Sequence, residues 1–98
     1  RVNGNDDMLR EIVSLYLTDT RHQIDSLSNE QNPDAVARTA HQLKGSSANL
    51  GARQLADALS RLEEIAKTGE INRTSDLLEE IRGTFDRTAV KLNSLLKQ

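Results

Sequence analysis

The chain has 98 residues and a formal net charge of −2. It is long enough for one small hydrophobic core but not for two, and its near-neutral charge gives no indication of nucleic acid or an anionic membrane as a partner. The sequence contains no cysteine, which excludes disulfides and thiolate metal sites, and its only aromatic residues, Tyr16 and Phe85, predict an aliphatic core.

The first predicted helix begins at a run of cap-type and acidic residues, Asn5–Asp7. Apolar residues then recur at helical spacing from Met8 to Leu17, and the pattern continues more weakly to Leu27. This pattern predicts either one long helix or two helices with a bend near residues 18–20.

The second predicted helix has the clearest boundaries. Asn32 supplies a capping side chain and Pro33 occupies the first helical position. The helix is predicted to run to Leu50, with Gly51 as its stop. Its buried stripe should consist of residues spaced four and three apart: Val36, Ala40, Leu43, Ser47 and Leu50.

Two further helices complete the chain. The third ends at Thr68–Gly69 and carries an apolar stripe of Leu55, Leu59, Leu62 and Ile65. The fourth begins within residues 72–76 and spans about 35 Å if it runs to Lys97. Its stripe consists of Leu78, Ile81, Phe85, Ala89, Leu92 and Leu95 or Leu96.

Four amphipathic helices with short connections favour antiparallel neighbours. We therefore predict a single all-α domain over residues 1–98, an antiparallel up-down four-helix bundle with an additional N-terminal helix or helix extension. A bundle of this kind does not by itself specify a function.

The second predicted helix also carries an unusual outer face. His41 lies about 100° around the helix from the buried stripe, so it should be accessible to solvent. Lys44 and Gly45 lie one turn after it, and Ala37 and Arg38 lie one turn before it. Because a glycine inside a helix costs about 1 kcal/mol relative to alanine, Gly45 is expected to permit the close approach of another backbone or a ligand.

An accessible imidazole between two cations suits a phosphoryl group. A histidine nitrogen can attack phosphorus to form a phosphoramidate, and such transfer depends mainly on positioning and charge stabilisation. Lys44 is placed to pair with the phosphoryl oxygens, and the chain has no glycine-rich nucleotide loop. The sequence therefore predicts a domain that accepts phosphate from a protein rather than from ATP.

The stretch AHQLKGSSANLGA, residues 40–52, resembles the signature of histidine-containing phosphotransfer (HPt) domains, the intermediate carriers of multistep two-component phosphorelays. The order of the predicted helices extends the resemblance to nearly the whole chain. The resemblance implies that His41 accepts a phosphoryl group from an aspartyl-phosphate of a receiver domain and passes it to another receiver domain. It also implies a phosphocarrier without its own ATP site or cofactor, with Mg²⁺ supplied by the partner receiver.

The same resemblance implies roles for neighbouring residues. Lys44 would stabilise the phosphoryl group, Gly45 would admit the receiver, and Glu63 would hydrogen-bond the second ring nitrogen of His41. The alternative for Glu63 is a solvated helix charge. The residues expected to contact the receiver are Ala37, Arg38, Ala48 and Lys67, together with Met8, Leu9 and Ile12 of the first helix, although the last three more often belong to a core.

Other functions remain open at this point. A non-catalytic helical adaptor or dimerisation bundle fits the helix pattern equally well. A histidine-based metal site is disfavoured, because His22 and His41 are not one turn apart; His22 is read as a surface residue. In the dimerising domain of a histidine kinase an acidic residue usually follows the phosphoacceptor, whereas Gln42 follows His41 here.

The sequence also suggests where the domain acts. No apolar run approaches the roughly 18 residues needed to span a bilayer, and no signal peptide is apparent. We expect a cytoplasmic, monomeric domain without direct membrane contact. Because the chain starts with Arg1, it is expected to be the C-terminal module of a hybrid sensor kinase or a trimmed free-standing carrier.

Overall fold

The computed structural model describes residues 4–96, with side chains from Asp7 onward, and forms four α-helices over that range. The helices are α1 (Gly4–Leu27), α2 (Pro33–Asn49), α3 (Arg53–Lys67) and α4 (Ser75–Leu96), with one 3₁₀ turn at Ile71–Arg73 before α4. The predicted all-α bundle is thereby confirmed. The predicted capping by Asn5 and Asp6 and the predicted helix end at Lys97 lie outside the described side chains.

The first helix is continuous, so of the two predicted alternatives the chain adopts the single long helix. Thr20, at the predicted bend, is buried and lies one turn after Tyr16 on the inner side of α1. The inner stripe of α1 consists of Val13, Tyr16, Thr20, Ile24 and Leu27.

The ends of α2 and α3 follow the local sequence signals. The Asn32 side chain accepts a hydrogen bond of 3.0 Å from the backbone N–H of Asp34, and it caps α2 as predicted. Gly51 and Gly69 follow α2 and α3 with φ angles of +78° and +81°, the left-handed conformation that glycine adopts at little cost. The second helix ends at Asn49, one residue before its predicted end.

The core is aliphatic apart from one ring, Phe85. Its members are Ile24, Leu27, Val36, Ala40, Leu43, Leu55, Ala58, Leu59, Leu62, Ala66, Ile81 and Phe85. The predicted stripe of α2 is buried except for Leu50, which is half-buried because it is the C-cap of the helix. On α3, Ile65 is only half-buried, while Ala58 and Ala66 face the core instead.

The bundle is elongated, with dimensions of 52 × 19 × 19 Å. Residues 50–54, the link between α2 and α3 together with the first two residues of α3, lie against residues 87–95 of α4, and the Arg10 guanidinium donates to the Leu96 carbonyl at 2.6 Å. The ends of α1 and α4 therefore continue beyond the α2–α3 hairpin and pair with each other. Of the two residues predicted for the end of the α4 stripe, Leu95 is exposed and Leu96 is half-buried, so the stripe ends at Leu96.

Among residues 4–96, no helix combines the length and the apolar character that a bilayer crossing requires.

Candidate functional site

The candidate site lies where α2 packs against α3. The two helices are antiparallel and joined by a three-residue link, so residues before and after the link lie side by side. Ala40 of α2 and Ala58 of α3 are fully buried, and small side chains of this kind let two helices approach closely. This packing places His41 and Lys44 on α2 opposite Glu63 on α3.

Glu63 is the centre of the site. Its Oε2 atom lies 3.0 Å from Nδ1 of His41 and 3.2 Å from Nζ of Lys67, and its Oε1 atom lies 2.9 Å from Nζ of Lys44. These four residues are called the Glu63 cluster below. The Glu63 side chain is 9% exposed, whereas His41 is 66% exposed, so a buried carboxylate supports an accessible imidazole.

Lys44 and Lys67 keep the Glu63 carboxylate ionised. The hydrogen bond from Lys44 is the largest influence, Lys67 adds a second, and together they outweigh burial and lower the pKa of Glu63 from 4.5 to about 2. A buried charge is tolerated only when it is paired and hydrogen-bonded, and every buried side-chain nitrogen or oxygen of the described residues has a partner. The interpretation of Glu63 as a solvated charge does not fit this burial.

The ionised carboxylate determines which nitrogen of His41 carries the proton. A carboxylate only accepts hydrogen bonds, so Nδ1 must be the donor and the neutral ring then has its lone pair on Nε2. No described residue hydrogen-bonds Nε2. The site thus presents an oriented imidazole with its nucleophilic nitrogen free.

Gly45 has no internal steric reason to be glycine. A Cβ atom built at this position would meet nothing within 4 Å. Gly45 lies one turn after His41 on the same outer face, so the missing side chain leaves the approach to the imidazole open. The cost of a helical glycine is therefore not explained by packing within the chain.

The comparisons with known proteins agree with this geometry. The family model described as Hpt domain matches residues 11–91. The chain belongs to the Hpt domain family. Hpt domains are phosphocarriers of phosphorelays, have no ATP-binding site of their own and interact with the receiver domains of response regulators. No curated protein and no solved structure matched the chain.

A hollow of about 270 Å³ adjoins the exposed imidazole of this Hpt domain. It is lined by Ala37, Arg38, His41, Gln42, Glu63 and Lys67. Arg38 is exposed and forms no ion pair with any described residue, so its guanidinium is available beside His41. A larger groove of about 550 Å³ between α1 and α4 contains no residue of the Glu63 cluster.

The structure also locates the predicted contact residues of α1. The Tyr16 phenol and the Ser47 hydroxyl share a hydrogen bond of 2.7 Å, which fixes α1 beside α2. Ile12 lies four residues before Tyr16 and therefore on the same side of α1. Met8 and Leu15 continue that stripe, and all three apolar side chains are exposed. We call Met8, Ile12 and Leu15 the α1 apolar stripe.

Leu9, the third predicted contact of α1, is exposed as well and lies four residues before the buried Val13. Its contact with a receiver stays a prediction. Leu15, which the sequence analysis did not include, is exposed too, and its spacing of three residues from Ile12 places the two side chains side by side on the helix.

Lys67, one of the predicted partner contacts, places its ammonium 3.2 Å from Oε2 of Glu63, four residues earlier on α3, and its side chain is 65% exposed. Its contact with a partner stays a prediction. Within the described part of the chain, no three His, Cys, Asp or Glu side chains are placed to bind a metal ion together.

Proposed function

We propose that this Hpt domain carries phosphoryl groups on Nε2 of His41, accepting each group from the aspartyl-phosphate of one receiver domain and delivering it to the aspartate of another. The observation that supports this role is the 3.0 Å contact between Nδ1 and the buried carboxylate of Glu63. It holds the ring in the tautomer whose free lone pair is on the exposed side.

The chemical step follows from that tautomer. The Nε2 lone pair attacks phosphorus, the bond between phosphorus and the aspartyl oxygen breaks, and the departing carboxylate keeps the electron pair. The Nδ1 proton stays in place, so the phosphorylated ring carries a positive charge. Glu63 stabilises this charge through the hydrogen bond it already accepts.

The neighbouring residues complete the proposal. Lys44 stabilises the transferred phosphoryl group, and Arg38 in the adjoining hollow adds a second cation. Gly45 allows the receiver to bring its phosphorylated aspartate up to Nε2. Mg²⁺ is supplied by the receiver domain, and the Hpt domain itself contributes no cofactor.

Receiver docking is proposed across the outer faces of α1 and α2. The bond between Tyr16 and Ser47 places Ile12, one turn before Tyr16, near the C-terminal end of α2, and Gly45 and Ala48 of that helix are exposed. Exposed apolar surface next to a reactive group is a frequent mark of a protein interface. The proposed receiver interface therefore comprises the α1 apolar stripe, Ala48, Gly45 and His41.

The test is phosphotransfer from a phosphorylated receiver domain in the presence of Mg²⁺. The wild-type domain should acquire an acid-labile phosphoryl group, and His41→Gln should acquire none. His22→Gln is the matched control, because it removes an exposed histidine outside the Glu63 cluster, and it should be phosphorylated like the wild type. Equal phosphorylation of His41→Gln and wild type would refute the proposal and favour a non-catalytic adaptor.

A further inference from the structure

The position of Lys44 in the structure raises a mechanistic question. Its ammonium is 2.9 Å from Oε1 of Glu63, on the Nδ1 side of the imidazole. The phosphoryl group of the proposed function is formed at Nε2, on the opposite side of the ring. Lys44 is therefore engaged with the carboxylate, rather than with the nitrogen that takes the phosphoryl group, before the reaction.

We propose that Lys44 exchanges partners during phosphorylation, moving from Glu63 to the phosphoryl group, while Lys67 stays on Glu63 as the positioning residue that keeps the carboxylate paired. This inference rests on the proposed function. It assigns to Lys67 an action through Glu63 rather than direct contact with the receiver or the phosphate.

The Glu63 carboxylate has the same number of cationic partners before and after phosphoryl transfer. Before transfer, its two cationic partners are the ammonium groups of Lys44 and Lys67. After transfer, the imidazole ring is cationic because Nδ1 keeps its proton while Nε2 holds the phosphoryl group. The ring then takes the place of Lys44, and the buried carboxylate again has two cationic partners.

The exchange is also favourable for Lys44. A phosphoryl group carries a charge of about −1.5 to −2 and offers three strong acceptor oxygens, whereas Glu63 offers a single charge already shared with Lys67. The Lys44 side chain is about one-third exposed, so its ammonium can turn outward without unpacking the core. Lys67, at 3.2 Å from Oε2, needs no movement at all.

Side-chain NMR of the lysine ammonium groups tests the exchange directly. The domain is phosphorylated with phosphoramidate, so that no receiver is present to shift resonances by docking. The Nζ resonance of Lys44 should move on phosphorylation, while that of Lys67 should stay close to its original position. His41→Gln, treated identically, should show neither change. Movement of the Lys67 resonance with Lys44 unchanged would overturn the proposal.

Transfer kinetics supply a second test. Lys67→Gln should slow phosphorylation of His41 by about twofold to fivefold, the effect of one largely exposed ion pair. Lys67→Arg should restore most of the rate, because it retains a cation at the same position. Lys91→Gln, which removes an exposed lysine of α4, is the matched control and should have no effect.

The Glu63→Gln background separates an action through Glu63 from an action on the phosphate. In that background Lys67→Gln should cause no further loss, whereas Lys44→Gln should still slow transfer. An undiminished effect of Lys67→Gln would show that Lys67 acts elsewhere and would overturn the exchange. A wild-type domain that forms no phosphohistidine would instead refute the proposed function itself, so the two failures are distinguishable.

Discussion

The α2–α3 face and the α1–α4 face of this bundle are built from the same kinds of residue. Each has an exposed histidine, His41 on α2 and His22 on α1, and each has a glycine inside a helix, Gly45 and Gly83. Each also has ion pairs that cross between two helices. Among the described residues, only on the α2–α3 face does the carboxylate of the ion pairs also bond the histidine.

The two faces differ because the Glu63 carboxylate on the α2–α3 face is buried. The pairs between α1 and α4 join Arg21 to Asp86 at 3.8 Å and Arg82 to Asp25 at 2.7 Å, and all four side chains are well exposed. Surface pairs of this kind contribute little to stability. Glu63 is instead enclosed between α2 and α3, so its charge fixes the orientation of every group around it. The α2–α3 face is therefore a site, while the α1–α4 face is an ordinary helix contact.

The sharpest test of this contrast is removal of one carboxylate charge from each face. Glu63→Gln should lower the rate of His41 phosphorylation by about 10- to 100-fold, because the residue proposed to orient the imidazole and stabilise its positive charge loses its own charge. Asp25→Asn on the α1–α4 face should leave the rate unchanged. Initial rates of phosphotransfer from one receiver domain measure both. An equal rate for Glu63→Gln and wild type would remove Glu63 from the mechanism.

The two glycines provide the next comparison. Gly45→Ala and Gly83→Ala should each raise the free energy of unfolding by about 0.5–1 kcal/mol, because neither new Cβ meets a clash within the chain. Only Gly45→Ala should slow transfer, by about tenfold, since its methyl group enters the proposed receiver interface. Urea denaturation and phosphotransfer rates measure the two effects. Slower transfer by both variants would point to a general effect of helix stability.

Exposed apolar side chains allow a third comparison. Ile12→Ala on the α1 apolar stripe should weaken receiver binding by about fivefold, as expected for loss of one interface contact. Val90→Ala on α4 should not affect it, although Val90 is 70% exposed and Ile12 only 51%. Isothermal titration of a receiver domain into each variant gives the dissociation constants. Similar values for the two variants would place the docking surface elsewhere.

Much of the fold could be predicted because its signals are local. The cap at Asn32, the stop at Gly51 and the three-and-four spacing of Val36, Ala40 and Leu43 all act within one or two helical turns. The exposure of Leu95 could not be predicted, because it depends on how far the α2–α3 hairpin extends along α4.

The site residues on a single helix could likewise be predicted, whereas those that depend on how two helices pack could not. His41, Lys44 and Gly45 could be recognised together because they lie within one turn of a single helix. The state of Glu63 remained undecided between two interpretations, because its burial depends on the register of α3 against α2. The spacing of four residues between Glu63 and Lys67 is visible in the sequence. Predicting the bond between them also required knowledge of how α3 packs against α2.

The pH dependence of stability provides the subtlest test of the contrast between the two faces. The lysine partners lower the pKa of Glu63 to about 2 in the folded domain, against 4.5 for the free group. Between these values the unfolded chain binds a proton that the folded chain does not, so the stability contributed by Glu63 is fully present above pH 4.5 and is lost as the pH falls towards 2. The free energy of unfolding of the wild type should therefore fall more steeply with decreasing pH than that of Glu63→Gln, by at most one proton in the linkage slope. Urea titrations at several pH values between 2 and 6 measure these slopes, and parallel curves for wild type and Glu63→Gln would contradict the buried ion cluster.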